Sequence, residues 1–285
     1  MQVVDLADIR RLVIIAMFSD DVLFEKLVLK GGNAVSLVYR YGARGSLDVD
    51  FSIDGEFEDV EDAAKRISKA LADRFAAAGF VVFDYTFGPR PLARGDANPR
   101  WGGYRIQFKI IDRQRYEELR GEREALRRAA TVIGPQQQRT FTIDISKWEF
   151  CEGKVEAELD EFAIYVYTPA MLAIEKVRAV CQQMDEYQLR SQKTARARDF
   201  YDVYVILEES KIDLTTADKR DLVLAIFAAK EVPVQLMGLV DNYREFHRLD
   251  WPSVEATVRG TLKPFDFYFD YVVRLASKLE ALGKK

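Results

Sequence analysis

The chain has 285 residues, of which 48% are hydrophobic and 31% charged, and its formal net charge is −4. This composition is that of a globular protein with enough chain for one large domain or two modest ones. The slight acidity excludes a global basic field for nucleic acid. The two cysteines have no metal-ligand spacing and make no disulfide framework, and the single histidine argues against histidine-assisted nucleophilic catalysis and histidine-ligated zinc.

The sequence shows no pattern of a secretory leader or a membrane span. The N-terminus lacks a basic leader with a following apolar stretch. No run of about 18 apolar residues, the length a membrane helix needs, occurs anywhere. We therefore expect a soluble, cytoplasmic protein.

The hydrophobic periodicity changes character at about residue 167. Helices are predicted over residues 5–26 (one or two, broken near 19–21), 33–42, 58–79 and 113–130. Strands are predicted over 27–30, 46–53, 80–88, 104–112 and 139–150, with a loop at 89–103 and a short extended run at 162–168. From Pro169, a favourable first helical residue, the signal is helical over 169–184, 197–210, 216–230 and 265–283. We predict an α/β (α+β) fold: a domain at 1–167 with a mixed sheet flanked by helices, then a helical domain at 168–285.

A glycine pair follows the first predicted strand, in the segment LVLKGGNAVSLVYRYG. Asn33 comes next and is predicted to be the N-cap of the helix over 33–42. A turn between a strand and a helix offers free backbone N–H groups to an anion such as a triphosphate. The pair alone is weak evidence, because tight turns use glycine for its positive φ.

The segment SLDVDFSI alternates like a strand and carries two acids. Its period of two places Asp48 and Asp50 on one face, with Leu47, Val49 and Phe51 on the other. Two carboxylates on one face repel each other unless they face water or a cation, and Mg²⁺ takes hard oxygen ligands. A solvated strand edge is the ordinary alternative. Combined with the glycine turn, the pair predicts metal-dependent nucleotidyl transfer.

A third carboxylate is available in FTIDIS. Asp144 lies between Ile143 and Ile145, so it points away from their face. It is either the third acid of the site or a polar residue on a half-exposed strand.

The segment KGGNAVSLVYRYGARGSLDVDF resembles the first motif of the AbiEii/AbiGii toxin family of nucleotidyltransferases, in the DNA polymerase β-like superfamily. That motif is K-G-G-T-A-L followed by R-x-S-x-D-h-D-h, and it is matched by Lys30, Gly31, Gly32, Ala34, Arg44, Ser46, Asp48, Asp50 and Phe51. FTIDIS resembles the second motif. TPAMLAIEKVRAVCQQ and RARDFYDVYVI resemble the third and fourth. Asn33 departs from the pattern, because the family usually has threonine there.

The resemblance implies roles for the matching residues. Gly31, Gly32 and Asn33 would hold the β- and γ-phosphates, and Lys176 would reach a phosphate from the helical domain. The implied Mg²⁺ ligands are Asp48, Asp50 and Asp144, the last being alternatively the base that deprotonates the acceptor. The full expected set is catalytic Asp48, Asp50, Asp144, Lys176 and Asp199, and nucleotide-binding Lys30, Gly31, Gly32, Asn33, Arg44, Ser46 and Asp202.

Some of these roles have structural alternatives. Asp199 and Asp202 lie on one helix face, and Asp199 is the expected catalytic acid. Both acids can instead pair with Arg196 and Arg198 as ordinary structure. Arg44 and Ser46 can equally be scaffold.

The implied function is that of the toxin of a bacterial toxin–antitoxin or phage-defence pair. It would transfer NMP from an NTP to an acceptor hydroxyl with Mg²⁺, most readily the tRNA 3′ end, and a DNA-binding antitoxin would be its partner. Arginines in 89–105 and 113–128 are candidate RNA contacts, or else solvated surface. NMP transfer to protein hydroxyls, and a nucleotide-binding regulatory module without turnover, are the alternatives.

Overall fold

A seven-stranded mixed sheet occupies the first 166 residues of the computed structural model, which describes residues 5–42, 46, 48–90, 102–134, 137–258 and 260–284. The strands are β1 (Val28–Lys30), β2 (Val49–Ser52), β3 (Phe80–Arg90), β4 (Gly103–Asp112), β5 (Phe141–Ser146), β6 (Val155–Leu159) and β7 (Phe162–Val166). Their order is β3-β4-β5-β2-β1-β7-β6. The β2–β5 and β1–β7 pairs are parallel and the other four are antiparallel, which confirms the predicted mixed sheet.

Helices precede, interrupt and follow the strands. Before the last strand they are α1 (Leu6–Phe18), α2 (Asp21–Lys26), the single turn α3 (Gly31–Asn33), α4 (Val60–Ala77), α5 (Arg113–Glu118) and α6 (Arg123–Ala129). After it come α7 (Pro169–Cys181), α8 (Ala197–Ser210), α9 (Arg220–Ala228), α10 (Arg244–Arg248), α11 (Trp251–Glu255) and α12 (Phe265–Gly283). A π-helical turn, Ala34–Val38, continues α3, and 3-10 segments cover Ala217–Lys219 and Val234–Tyr243. None of the helices within the described ranges has the length and apolar character to span a membrane.

The strands at the centre of the sheet alternate as the sequence predicts. Val49 and Phe51 on β2 and Ile143 and Ile145 on β5 are at most 1% exposed. Because side chains alternate between faces, the acids between them lie on the opposite face. The apolar face thus fixes which way the acids point.

The described elements after Val166 are all helical, as predicted. The buried hydrophobic residues nevertheless form one cluster that includes the strands, α7, α8 and α12. The division into domains at 1–167 and 168–285 stays a prediction.

The prediction that Asn33 caps a helix is wrong. The helical turn already begins at Gly31, so Asn33 lies inside it with φ −75° and ψ −33°, and its side chain makes no capping bond. The Asn33 amide instead donates to the backbone oxygen of Asp48 at 2.7 Å. The side chain therefore ties the turn to the acid segment.

Three other differences concern element boundaries. The predicted helix at 113–130 is two helices, α5 and α6, separated by a turn around Gly121, whose φ is +92°. Strand β6 was not predicted, and three of its five residues are exposed, so its burial pattern carries little signal. The loop predicted at 89–103 begins later than expected, because β3 continues to Arg90. Residues 91–101 lie outside the described residues.

Candidate active site

The glycine turn after β1 is shaped by its contact with Asp50. Gly31 has φ +70°, a conformation that favours glycine, and a Cβ atom placed on it would lie 2.6 Å from Oδ2 of Asp50. No other residue fits this position without moving the carboxylate. The turn and the acid are therefore in direct contact.

Four charged residues lie side by side across the middle of the sheet. Lys30 on β1 is in register with Asp50 on β2, and Asp50 is in register with Asp144 on β5. Asp144 is in turn in register with Arg105 on β4. Side chains of registered residues share a face, so the row presents two carboxylates flanked by two cations.

The surroundings of Asp48 and Asp50, called the acid pair below, disfavour the charged forms of their carboxyl groups. Burial raises the pKa of Asp50 to about 6, and the carboxylates of Asp144, Glu175 and Asp48 add to the shift, while Lys30 opposes it. Loss of hydration also raises the pKa of Asp48, with Asp144 contributing in the same direction. Asp48 itself is exposed and stands just before β2.

Two predicted nucleotide-binding residues contact the backbone of Asp48. Beside the Asn33 amide, the Ser46 hydroxyl donates to the same carbonyl oxygen at 3.2 Å. The backbone oxygen of Ser46 accepts a bond of 2.6 Å from Arg10 on α1. These contacts fix the segment that enters β2. Arg44, predicted to be part of this site, lies outside the described residues.

Asp144 is engaged by two arginines. Arg105 donates from Nε and Nη2 to the two carboxylate oxygens, each at 2.9 Å, and Nη1 of Arg90 also donates to Oδ2. Neither arginine belongs to a motif that the sequence identified. Both lie in the segment 89–105, whose arginines are predicted as candidate RNA contacts, but the sequence does not show that they contact Asp144.

Lys30 belongs to a buried ionic network behind the turn. Its ammonium group bonds Glu175 at 2.7 Å and Glu149 at 3.3 Å, and Arg178 bonds Glu149 at 2.8 Å. Burial alone would lower the pKa of Lys30, but the two glutamates more than offset it, so the pKa is raised. The network joins β1 to α7, and its members other than Lys30 were not predicted.

The lysine and acids of the last two predicted motifs bond one another. Lys176 on α7 donates to Asp199 at 3.1 Å and to Asp202 at 2.7 Å, both on α8. Arg196 also pairs with Asp199. Burial raises the pKa of Asp199, but the charges of Arg196 and Lys176 outweigh it and hold the pKa below its usual range. The expected pairing of Asp199 with Arg196 is therefore present, alongside the lysine.

This second cluster borders the acid pair. Burial lowers the pKa of Arg196, but the charges of Asp199, Glu175 and Asp50 outweigh it and raise the pKa. His247 is fully buried, and its Nδ1 accepts the backbone N–H of Arg196 at 3.1 Å. This bond holds the start of α8 against α10.

A divalent cation fits the acid pair. Asp48 and Asp50 offer hard carboxylate oxygens whose mutual repulsion a cation removes. Asp144 is in register with Asp50, but its carboxylate oxygens already accept hydrogen bonds from arginines. Within the ranges that the structure describes, no three histidine, cysteine or acidic side chains are already arranged to hold a metal ion. In this structure, two residues, Asp48 and Asp50, are therefore in a position to act as ligands of the cation.

The arginines predicted to contact RNA are largely paired with nearby acids. In 113–128, Arg115 bonds Glu118 at 2.7 Å and Arg127 bonds Asp84 at 2.6 Å. Arg120 lies 3.5 Å from Glu117. Most of the other candidate segment, 89–105, lies outside the described residues.

The diglycine turn lies against Asp50 on a mixed sheet, and a second acid, Asp144, is in register with Asp50 on β5. A family model described as nucleotidyl transferase AbiEii toxin, type IV toxin–antitoxin system, matches residues 13–271. The chain belongs to this family, and the resemblance in its motifs is confirmed.

Two solved structures extend the comparison. MenT4, a nucleotidyltransferase toxin from Mycobacterium tuberculosis, is 16% identical with a TM-score of 0.52, over 96% of this chain and 82% of that one. This likeness shows a shared fold. JHP933 from Helicobacter pylori is 13% identical with a TM-score of 0.49, over 99% and 94% of the two chains. A search of curated proteins gave no significant match.

Proposed function

We propose that the protein transfers a nucleoside monophosphate from an NTP to an RNA hydroxyl, the tRNA 3′ end being the acceptor, and that Mg²⁺ bound by Asp48 and Asp50 is required. The observation that carries the proposal is the contact of Gly31 with Asp50. It brings a carboxylate with a pKa of about 6 against a turn with no side chain to keep phosphates away. A bound divalent cation supplies charge neutralisation and polarisation of the α-phosphate.

The residues of the chain hold and orient the reactants. The Gly31–Gly32 backbone approaches the triphosphate, and Asn33 keeps that turn against the acid segment. The acceptor oxygen bonds to the α-phosphorus while the bond to pyrophosphate breaks, and the hydroxyl proton leaves to solvent through the carboxylates. In this proposal the ammonium group of Lys176 offsets the negative charge that develops on the leaving group, and Asp199 orients that ammonium group through their hydrogen bond.

The biological setting of the proposal is that of the family. A type IV toxin–antitoxin family implies a cognate antitoxin. We assign it a DNA-binding antitoxin, and place the pair in the cytoplasm as a phage-defence system. Under this proposal the antitoxin opposes the transfer activity.

A labelling experiment tests the activity. Purified protein is incubated with each of the four α-labelled NTPs and Mg²⁺, with total tRNA or with cell lysate. The expected result is label in tRNA that depends on the metal and is lost in Asp50→Asn. Asp54→Asn is the matched control, since Asp54 is an exposed acid just after β2, and should label normally.

The other outcomes identify the alternatives. Label confined to polypeptide would assign transfer to protein hydroxyls. Growth arrest that persists in Asp50→Asn, with no label in any acceptor, would mean that toxicity comes from nucleotide binding rather than turnover. Either result overturns the proposal of RNA as the acceptor.

A further inference from the structure

Asp144 is covered by cations that are themselves open to solvent. Its side chain is 10% exposed, whereas those of Arg105 and Arg90 are 39% and 53% exposed. Both carboxylate oxygens accept guanidinium N–H groups from Arg105, and Oδ2 accepts a further one from Arg90. Anything that enters the site from solvent meets the arginines before the acid.

The three guanidinium hydrogen bonds compete with any other use of Asp144. A carboxylate has about four lone-pair positions, and a guanidinium fork binds carboxylate and phosphate with the same two-pronged geometry. A phosphate group can therefore replace the carboxylate on Arg105 without a change in the arginine's bonding. The exchange would leave Asp144 free beside Asp50, its register partner.

The surroundings favour an incoming anion. Burial lowers the pKa of Arg190, and the nearby positive charges of Arg196 and Arg90 lower it further. Arg105 and Arg90 also act on Asp48, whose pKa they lower against the effect of its lost hydration. Arg190 therefore lies within electrostatic range of Arg196 and Arg90, and Arg90 and Arg105 lie within range of Asp48, so an incoming triphosphate meets several positive charges.

We propose that Arg90 and Arg105 are triphosphate-binding residues that exchange Asp144 for the phosphates of the incoming NTP, and thereby free the Asp144 carboxylate to join Asp48 and Asp50. This inference rests on the proposed function, because it takes an NTP as the ligand. The exchange breaks and forms only hydrogen bonds and ion pairs.

A second acid that is bound by arginine supplies the control. It lies on the β3–β4 hairpin, which also carries Arg90 and Arg105. Asp84 on β3 accepts from Lys109 at 3.0 Å and from Arg127 at 2.6 Å. Asp84 lies in the irregularity of the β3–β4 pairing between Phe83 and Thr86, in contrast to Asp144, which is in register with Asp50. Arg127→Gln therefore removes an arginine from a shielded carboxylate without touching the acid pair.

The test uses two binding measurements on the full chain, with no turnover. Calorimetry with an α,β-methylene NTP analogue and Mg²⁺ measures nucleotide affinity, and electron paramagnetic resonance of Mn²⁺ without nucleotide measures metal affinity. Arg105→Gln and Arg90→Gln should each weaken analogue binding by about tenfold or more, because a charge-assisted bond is lost. Arg105→Gln should tighten Mn²⁺ binding, because it removes two of the three hydrogen bonds that hold Asp144, and Arg90→Gln should tighten it less, because Arg105 still holds both oxygens. Arg127→Gln should leave both affinities unchanged.

Two further results complete the test. Arg105→Lys keeps the positive charge but loses the two-pronged guanidinium geometry, so its affinity for the NTP analogue should lie between those of wild type and Arg105→Gln. This intermediate affinity would show that the effect of Arg105→Gln is not a failure to fold. Unchanged analogue affinity in both glutamine variants, with wild-type protein binding the analogue, overturns the exchange and leaves the proposed function standing. Wild-type protein that binds no NTP analogue overturns both.

Discussion

Replacing Gly31 with alanine tests the contact between the glycine turn and Asp50. The new Cβ would lie 2.6 Å from Oδ2 and 3.2 Å from Cβ of Asp50. Atoms at the first distance cannot coexist, so the carboxylate must move by several tenths of an ångström to about 1 Å. The backbone conformation, φ +70°, also costs a non-glycine residue about 1–2 kcal/mol.

Gly79 separates these two effects. It ends α4 with φ +84°, and a Cβ atom there would have nothing within 4 Å. Gly79→Ala thus has the same kind of backbone cost without the clash. In urea titrations, Gly79→Ala should lower the free energy of unfolding by about 1–2 kcal/mol, and Gly31→Ala should lower it by more, because the clash with Asp50 adds to the backbone cost.

Activity should distinguish the two variants. Displacing a positioned group by about 1 Å costs on the order of 100-fold in rate. We therefore expect Gly31→Ala to lose about two orders of magnitude in labelled NMP transfer, while Gly79→Ala keeps near-wild-type transfer at a temperature where both are folded. Equal activity in the two variants would refute the claim that the turn positions Asp50.

Three further predictions follow from buried charges. Lys176→Met leaves Asp199 and Asp202 buried without the lysine, and should lower the free energy of unfolding by about 3–5 kcal/mol. The control Lys69→Met, at an exposed ion pair, should change the free energy of unfolding little. A small loss in Lys176→Met would show that the cluster is solvated. The pKa of Asp50 is raised from 3.8 to about 6, so ionisation of its carboxylate destabilises the folded state increasingly as pH rises from about 4 to 6. In EDTA, Asp50→Asn should therefore stabilise the protein at pH 7 by up to about 3 kcal/mol, but not at pH 4. A stability difference that does not change with pH would contradict the raised pKa. Burial lowers the pKa of His247 from 6.5 to about 4, so its contribution to stability is present above about pH 6.5 and lost as pH falls toward 4. His247→Leu should lower the free energy of unfolding at pH 7, because the backbone N–H of Arg196 loses its acceptor, and should reduce the loss of stability between pH 6.5 and 4. The same pH dependence in the variant and the wild type would contradict the lowered pKa.

Local patterns sufficed for the acid pair and its strand. The alternation of Val49 and Phe51 with Asp48 and Asp50 predicts both the strand and the faces to which its side chains point. The same argument oriented Asp144 correctly, because isoleucines flank it. Each of these inferences needs only neighbours along the chain.

Register between strands was beyond the reach of the sequence. Nothing local states that β5 lies beside β2 in parallel, or that β4 brings Arg105 opposite Asp144. The arginine contacts on Asp144 were missed for that reason. The Lys30 network was missed likewise, since Glu149 is 119 residues away.

The error at Asn33 has a different origin. Asparagine is a common N-cap, and the sequence cannot show that the helix begins two residues earlier. The structure uses the side chain over a longer range, to bond the backbone oxygen of Asp48. A residue that departs from the family pattern thus still joins the turn to the acids.

The location of a bound metal ion tests the central claim most directly. Crystals grown with Mn²⁺ and an α,β-methylene NTP analogue should show an anomalous peak about 2.1–2.2 Å from carboxylate oxygens of Asp48 and Asp50, with phosphate oxygens against Gly31. A manganese ion bound elsewhere, with both aspartates directed away from the triphosphate, would contradict the account.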